Sequence, residues 1–387
     1  MSIQIQIVDR MSAIPASQWD ALTDGSPLTS HAFLQALETS KSVQENTGWQ
    51  PYHITIYEND QLVGAVPQYL KTHSYGEYVF DWAWAQAYAQ NGLHYYPKLL
   101  SAVPFSPITG NRLLAKKPDI SSVLVQVIEK QLTDLTLSSA HILFPDQAAE
   151  NCLIEKNWLQ RHGVQFRWEN STAENNYFDD FEHFLITLSH DKRKKIHQER
   201  KKIATAQVVC KRLTGSEITQ QYWDFFYQCY CNTYFEHRST PYLSREFFNL
   251  LGQNLSQNTL LIIAEIDNTP IAASLCLYDQ TNLYGRYWGA LKYVPNLHFE
   301  LCYYQAQTFC IERKIRYFEG GAQGEHKLAR GFKPRPTTSF HKIFHPQFEH
   351  AIQRFLDQER DGMAQYVTEL EDRAPFKSNG INLRDIR

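Results

Sequence analysis

The chain repeats itself. Pro27-Leu28-Thr29-Ser30-His31-Ala32-Phe33-Leu34 returns as Pro241-Tyr242-Leu243-Ser244-Arg245-Glu246-Phe247-Phe248. Ile54-Thr55-Ile56-Tyr57-Glu58-Asn59-Asp60 returns as Ile262-Ile263-Ala264-Glu265-Ile266-Asp267-Asn268, and Tyr75-Gly76-Glu77-Tyr78 as Tyr284-Gly285-Arg286-Tyr287. Three ordered matches, each about 210 residues apart, argue for two copies of one fold. A duplicated fold has a cleft between its copies, and such interfaces are common substrate sites. The spacing places the first unit over residues 1–170 and the second, with the active cleft, over 171–346. The polar stretch 168–176 marks the boundary, and 347–387 form a C-terminal helix and polar tail.

Local patterns fill in each copy. Residues 3–8 alternate apolar and polar and read as a strand. Ser30 caps a helix through Thr39. Residues 52–58 and 62–70 form a hairpin about Asn59-Asp60, and 75–84 read as a third, aromatic strand. Residues 120–132 are apolar at helical spacing, and 141–144 form a strand. The second copy opens with a helix over 178–204 and another over 223–234. The hairpin-plus-strand pattern then recurs at 260–266, 271–278 and 283–288. A helix over 298–314, a strand over 315–319, a glycine turn, a short helix near Leu328 and a strand over 339–344 follow. An amphipathic helix over 347–371 places Phe348, Ile352, Phe355 and Leu356 on one side. Hairpin strands flanked by helices make a mixed α/β sheet.

Composition narrows the function classes. A net charge of −3 gives no global attraction to nucleic acid. The 7 cysteines are odd in number and scattered, which suits reduced thiols in a cytoplasmic protein. No run approaches the ~20 apolar residues of a membrane helix, and the N-terminus lacks the pattern of a signal peptide.

Chemistry concentrates in three places. Residues 318–334 carry Gly320, Gly321 and Gly324, then Glu325, His326, Lys327 and Arg330, with Gln323 among them. Glycines permit close backbone approach, and a strand end before a glycine turn is a favoured ligand position. Residues 192–202 hold seven Lys or Arg against one Glu, including Arg193, Lys194 and Lys195, a face that suits phosphate or ordinary solvation equally. Asp81 sits between aromatic residues, where a carboxylate can bind an amine or simply pair with a cation. Arg286 stands at the repeat position of Glu77, so the copies differ in charge there. Glu325, His326 and Glu300 are the general-base candidates. No Walker loop, nucleophile elbow or zinc spacing occurs.

Leu328-Ala329-Arg330-Gly331-Phe332 resembles a helix end of GNAT-type acyltransferases. Phe80-Asp81-Trp82-Ala83-Trp84, Tyr95-Tyr96-Pro97-Lys98-Leu99, residues 103–110, residues 297–304 and Gly321-Ala322-Gln323-Gly324-Glu325-His326-Lys327 together resemble the bacterial FemAB-like family. The resemblance implies two tandem GNAT-like units with mixed sheets, N-acyl transfer and no metal. Acyl-CoA-dependent GNAT enzymes hold the CoA pyrophosphate in a glycine-rich loop, and residues 289–296 lack that spacing. Fem-type relatives use aminoacyl-tRNA instead.

The combined reading is direct transfer of an acyl or aminoacyl group, from acyl-CoA or aminoacyl-tRNA, to a small-molecule or peptide amine. Glu325, His326 or Glu300 takes the proton. Asp81, Arg286, Gln323, Lys327 and Arg330 hold substrate. Gly320, Gly321, Gly324, Arg193, Lys194 and Lys195 face the donor and its phosphates. The rivals are a transferase strictly dependent on aminoacyl-tRNA and a non-catalytic binding protein using the same cleft.

Overall fold

The computed structural model describes residues 3–322 and 324–376. Gln323 and the tail beyond Phe376 lie outside the described residues. The first half supplies β1 (Ile3–Val8), β2 (Trp49–Pro51), β3 (His53–Glu58), β4 (Gln61–Val66), β5 (Gln68–Lys71), β6 (Lys98–Ser101), β7 (Leu114–Ala115), β8 (Ser139–Leu143) and β9 (Leu159–Glu169). The second supplies β10 (Val209–Thr214), β11 (Thr259–Ile266), β12 (Thr269–Tyr278), β13 (Asn282–Ala290), β14 (Tyr317–Glu319) and β15 (Lys333–Ile343). Four strands form a small sheet, β1-β3-β4-β7, and eleven a large one, β10-β11-β12-β13-β14-β9-β15-β8-β6-β5-β2.

The duplication is visible in backbone detail. The β3–β4 and β11–β12 hairpins turn at Asn59-Asp60 and Asp267-Asn268, with φ of 49° and 62° in the first and 49° and 59° in the second. Left-handed φ at both turn residues matches the twist of the flanking strands. A bulge precedes each turn at the same place in the repeat, between Ile56 and Tyr57 and between Ala264 and Glu265. Ser30 caps helix His31–Thr39 by accepting from the Phe33 N–H, and Ser244 caps Arg245–Asn254 by accepting from the Phe247 N–H. The two helices pack on each other, with Phe33 edge-on to Phe247 at 5.6 Å. These phenylalanines are the same repeat residue, so a pseudo-twofold axis passes between them. One apolar cluster around them draws Trp19, Leu34 and Leu37 from the first unit and Phe226, Phe248 and Leu251 from the second.

The third sequence match is not structural. Tyr284 to Tyr287 lie in β13, but residues 75–78 lie in a loop. The strand expected over 75–84 is absent because the backbone turns left-handed at Gly76 (φ 81°) and Tyr78 (φ 65°), and Trp82–Gln90 then forms a helix. The counterpart of β13 is β6: β6 lies parallel to β8, as β13 lies parallel to β14. The helix expected over 178–204 breaks into Phe181–Thr187 and His190–Thr205, with Leu188 extended between them. The C-terminal helix runs Pro346–Asp372 and buries Ile352 and Leu356, whereas Phe355 faces solvent.

The long β9 and β15 exchange places. β9, from the first half, pairs with β14 of the second, from Tyr317↔Glu169 to Glu319↔Arg167. β15, from the second half, pairs with β8 of the first, from Ser339↔Leu143 to Ile343↔Ser139. The two exchanged strands then pair with each other, from Lys333↔Arg167 to His341↔Leu159. Each unit's sheet is therefore completed by the other's last strand.

At the β8·β15 seam, His141 faces His341 with Nδ1 to Nδ1 at 2.6 Å, and both are buried. One imidazole donates and the other accepts, so both are neutral. Burial lowers the His141 pKa to about 3 and holds that of His341 well below its ordinary value. An unfolded histidine titrates near ~6.5. Below that pH the unfolded chain binds protons that the native pair refuses, so stability falls as pH drops. Between about pH 6.5 and 5 the loss should approach ~1.4 kcal/mol per pH unit for each histidine. Urea midpoints of His341→Leu should fall less steeply with acid than those of wild type; equal slopes would refute this origin.

Candidate active site

The cleft begins where a ladder stops. β13 and β14 pair in parallel from Asn282↔Tyr317 to Tyr284↔Glu319 and then part. The next residue on each strand, Gly285 and Gly320, lines a cavity of about 470 Å³. Parted parallel strands leave backbone groups facing a ligand space at their carboxyl ends. β9 fixes the outer side of the turn: Gly320 N–H donates to Phe166 O (2.8 Å), and Phe166 N–H donates to Gly321 O (3.1 Å). Gly321 has φ 76°. A Cβ on Gly320 would meet the Phe332 ring at 2.7 Å, so the turn needs glycine at both positions. Among the described residues, the Gly321 and Ala322 N–H groups have no backbone acceptor.

The opposite wall comes from the first unit. Ser74, Tyr75 and Trp82 line the cavity from the segment between β5 and β6. The loop 72–81 in this segment rests on a buried ion cluster. Lys98 Nζ donates to Ser74 Oγ (2.8 Å), Glu77 Oε2 (2.8 Å) and Asp81 Oδ2 (2.5 Å), and Tyr95 OH donates to Asp81 Oδ2 (2.6 Å). Lys71 lies 3.9 Å from Glu77 and 3.9 Å above the Trp49 ring. Burial lowers the Lys71 pKa to about 7 and raises that of Glu77 to about 7. For Asp81, burial acts upward, but the Lys98 ammonium wins and holds the carboxyl below its usual range.

Lys327 and Arg286 bring charge to the cleft. Lys327 is buried, 3.5 Å from Gly321 O and 5.6 Å from the centre of the Phe166 ring. Burial lowers its pKa to about 8. Arg286 donates to the Phe105 carbonyl of the first unit and lies over the Tyr287 ring at 5.1 Å.

Of the residues singled out from sequence, the fold thus gathers Arg286, Gly320, Gly321 and Lys327 around one cavity. Gln323 lies outside the described residues, and the fold places the others elsewhere. Asp81 lies beneath the wall loop and serves Lys98. Glu325 is at the surface, paired with Arg373 at 2.7 Å and with Tyr366 OH at 3.2 Å. His326 contacts Tyr303 OH at 2.8 Å, and burial lowers its pKa; its ring packs on Gly324, where a Cβ would come within 2.4 Å. Glu300 is buried in the π-turn Glu300–Gln305, accepting from Gln305 Nε2 (2.8 Å) with Arg200 at 3.4 Å. Arg330 is held by both oxygens of Glu199 (3.0 and 2.9 Å) and stacks on Phe299 at 3.5 Å. Arg193 and Lys194 line a separate shallow groove of about 380 Å³ along helix His190–Thr205 with His190, His197 and Lys201, and Lys195 is exposed nearby.

The matching place in the first unit is filled by a side chain. Where β6 and β8 end, the buried Arg112 guanidinium donates to Leu143 O (3.0 Å), Ile108 O (2.5 Å) and Asn111 O (3.1 Å). Ser74 was not singled out from sequence, and Lys98 entered only as part of the family-like segment Tyr95-Tyr96-Pro97-Lys98-Leu99, with no site role. The one available signal was a lysine heading the apolar run Leu99-Leu100.

Split ladder, glycine turn and exchanged last strands define a tandem GNAT-fold protein with its cleft between the units. The chain belongs to the FemAB-like family, described as peptidoglycan biosynthesis/recognition, whose profile matches residues 10–378. The structure is similar to the crystal structure of FemX, with a TM-score of 0.55 and 10% identity, covering 91% of this chain and 100% of that one. It is similar to L-PGS from Bacillus licheniformis, with a TM-score of 0.51 and 9% identity, covering 88% and 97%. A tandem GNAT protein from the clavulanic acid biosynthesis pathway aligns with a TM-score of 0.46 and 10% identity, over 89% and 99%. No curated protein matches the sequence. Among the described residues, no helix is long and apolar enough to cross a membrane.

Proposed function

We propose that the chain is an acyl- or aminoacyltransferase that joins an activated carbonyl to an amine of a cell-wall precursor by direct attack. The observation that carries this reading is the split β13/β14 ladder, with Lys327 beside its glycine turn. The donor carbonyl enters the split with its oxygen toward the Gly321 and Ala322 N–H groups, which stabilise the tetrahedral oxyanion. The acceptor nitrogen attacks, and the bond to the leaving oxygen or sulfur breaks. Lys327 gives its proton to the leaving atom and takes the one shed by the attacking nitrogen, so it ends as it began. A pKa of about 8 suits both halves of that exchange. Glu325, Glu300 and His326 do not line the cleft, so Lys327 replaces them in this scheme.

The donor favoured is aminoacyl-tRNA. Residues 289–296 offer no glycine-rich cradle for a pyrophosphate, and the groove along helix His190–Thr205 presents Arg193, Lys194 and Lys201 to phosphates. Aminoacyl-tRNA should raise the melting temperature, and acetyl-CoA at millimolar concentration should not. Arg193→Ala with Lys194→Ala should weaken tRNA binding and flatten its log–log salt dependence by about 2. A saturable shift with acetyl-CoA and none with tRNA would reverse the donor assignment. Failure to consume either donor in the presence of a peptide amine would refute transfer itself.

A further inference from the structure

Beyond the cleft, the end of the sheet holds two aromatic rings out in solvent. β13 runs from Gly285, which lines the cleft, to Ala290, about 17 Å further on. The chain then turns out through Leu291, Lys292 and Tyr293, where Leu291 is 48% exposed and Tyr293 86%. Helix Gln220–Glu236 ends beside this turn: Asn232 Nδ2 donates to Ala290 O (2.8 Å), and Thr233 Oγ1 donates to Trp288 O (2.7 Å). Phe235, on the same side of the helix as Asn232, is 80% exposed. The rim continues across the neighbouring strands. Ile271 O accepts from the Leu291 N–H (2.8 Å), Pro270 pairs with Glu265, and Glu265 pairs with Val209, which is also exposed. Three strand spacings, about 14 Å, separate Val209 from Leu291.

Single exposed apolar side chains are ordinary, but a cluster of them marks a contact surface. The charges around this one say of what kind. Lys292 stands between Leu291 and Tyr293, and Arg238 follows Phe235 by three residues. Lys201 and Lys202 lie near the end of helix His190–Thr205, which leads to Val209 over residues 206–208. All four cations are exposed. The acids are fewer or engaged. Glu265 is buried against Lys211 at 2.6 Å, Glu236 accepts from Asn232 Nδ2 (3.0 Å), and Asp267 is exposed in the β11–β12 turn. The rim is therefore cationic, and its partner is anionic. Its shape points the same way. Rings exposed this far project from the surface, so they suit a fluid phase that closes around them. Tyr, Phe and Leu beside Lys and Arg match the boundary between lipid headgroups and acyl chains, where apolar bodies bury and cations meet phosphate.

We propose that the rim formed by Phe235, Leu291 and Tyr293, with Arg238 and Lys292, seats the protein on an anionic membrane surface. The apolar side chains enter the headgroup layer, and the cations pair with lipid phosphates. β13 then leads from the membrane to the cleft. Seating does not depend on the chemistry of the cleft: it holds for a transferase and for a binding protein alike.

Co-sedimentation of the full chain with vesicles tests the seat. Vesicles of phosphatidylcholine and phosphatidylglycerol in equal parts should bind the wild type at least about tenfold better than phosphatidylcholine alone. Phe235→Ser with Tyr293→Ser should lower that binding by at least about tenfold. The melting temperature should barely move, because both rings lie largely outside the fold. Phe235→Trp with Tyr293→Trp should keep the binding, since tryptophan suits the same layer. Lys292→Glu with Arg238→Glu should also lower it and flatten its dependence on salt. No binding of the wild type to the mixed vesicles would overturn the assignment. So would undiminished binding of the double serine variant, which would credit the cations of helix His190–Thr205 alone. Self-association of the wild type in ultracentrifugation, lost in the double serine variant and unaccompanied by vesicle binding, would make the rim an interface between copies instead.

Discussion

Lys98→Met should lower the unfolding free energy by about 3–5 kcal/mol. The ammonium is completely buried and is the shared partner of Ser74, Glu77 and Asp81. The second carboxylate oxygens, Glu77 Oε1 and Asp81 Oδ1, have no hydrogen-bond partner, so these acids depend on Lys98. Removing it leaves the two buried carboxylates with only Lys71, 3.9 Å from Glu77, and the Tyr95 hydroxyl on Asp81 to offset their desolvation. Building the same site without charge tests the account. Lys98→Met combined with Glu77→Gln and Asp81→Asn should recover at least half the loss, because a buried pair replaced on both sides is far less damaging than one broken on one side. A loss below about 1 kcal/mol for Lys98→Met in urea unfolding would contradict the account. The same substitution should depress turnover even where the chain stays folded, since Ser74 and Tyr75 hang from this cluster and line the cleft.

Lys327→Met should reduce kcat/KM by about 10²–10³-fold, in the range of losing one proton-transfer or oxyanion group. Melting should change little by comparison. The pH dependence distinguishes shuttle from scaffold. The Lys327 pKa lies near 8 because burial disfavours its charged form. The mechanism starts from the protonated side chain, so the wild type loses its advantage as pH rises through about 8. The ratio of wild-type to variant kcat/KM cancels the titration of the acceptor amine. That ratio should be flat below pH 7 and shrink above 8. Lys327→Arg keeps the charge but cannot surrender its proton, so it should not restore the rate. A ratio that stays constant from pH 6 to 9.5 would mean that Lys327 only positions substrate.

Local rules recovered whatever local chemistry determines. The Asn-Asp and Asp-Asn turns, the Ser30 cap and the amphipathic period of the last helix were legible because short-range sterics and burial set them. The glycine turn at 320–321 was legible as a turn lining the candidate cleft for the same reason: a strand end followed by φ > 0 is written in residue types. The wall loop was not. Tyr75 to Trp84 is aromatic enough to read as a strand, and Lys98, Tyr95 and Arg161, distant in sequence, hold it otherwise. β9 was missed because it is amphiphilic on both faces, with Gln, Arg, His and Gly among its residues; its Phe166 and Trp168 are buried in the core of the other unit. Glu325 read as a general base and Arg330 as a substrate-binding residue because polar residues crowd the segment. Their partners, Arg373 and Glu199, lie 48 and 131 residues away in the chain.

The exchange of β9 and β15 also dictates an order of synthesis. The first half reaches residue 169 with β8 still lacking its neighbour, and that neighbour ends at Ile343. At the usual ribosomal pace, the gap is on the order of ten seconds or more. Throughout it, a hydrophobic strand edge stays open on a nascent chain, the surface that aggregation and holdase chaperones both recognise. A ribosome-stalled chain ending at residue 176 should therefore be protease-sensitive through β8, and the full-length stalled chain protected. Protection of the short chain would show that the first half closes without its partner. The exchange makes the two units one body that translation must finish before either half is complete.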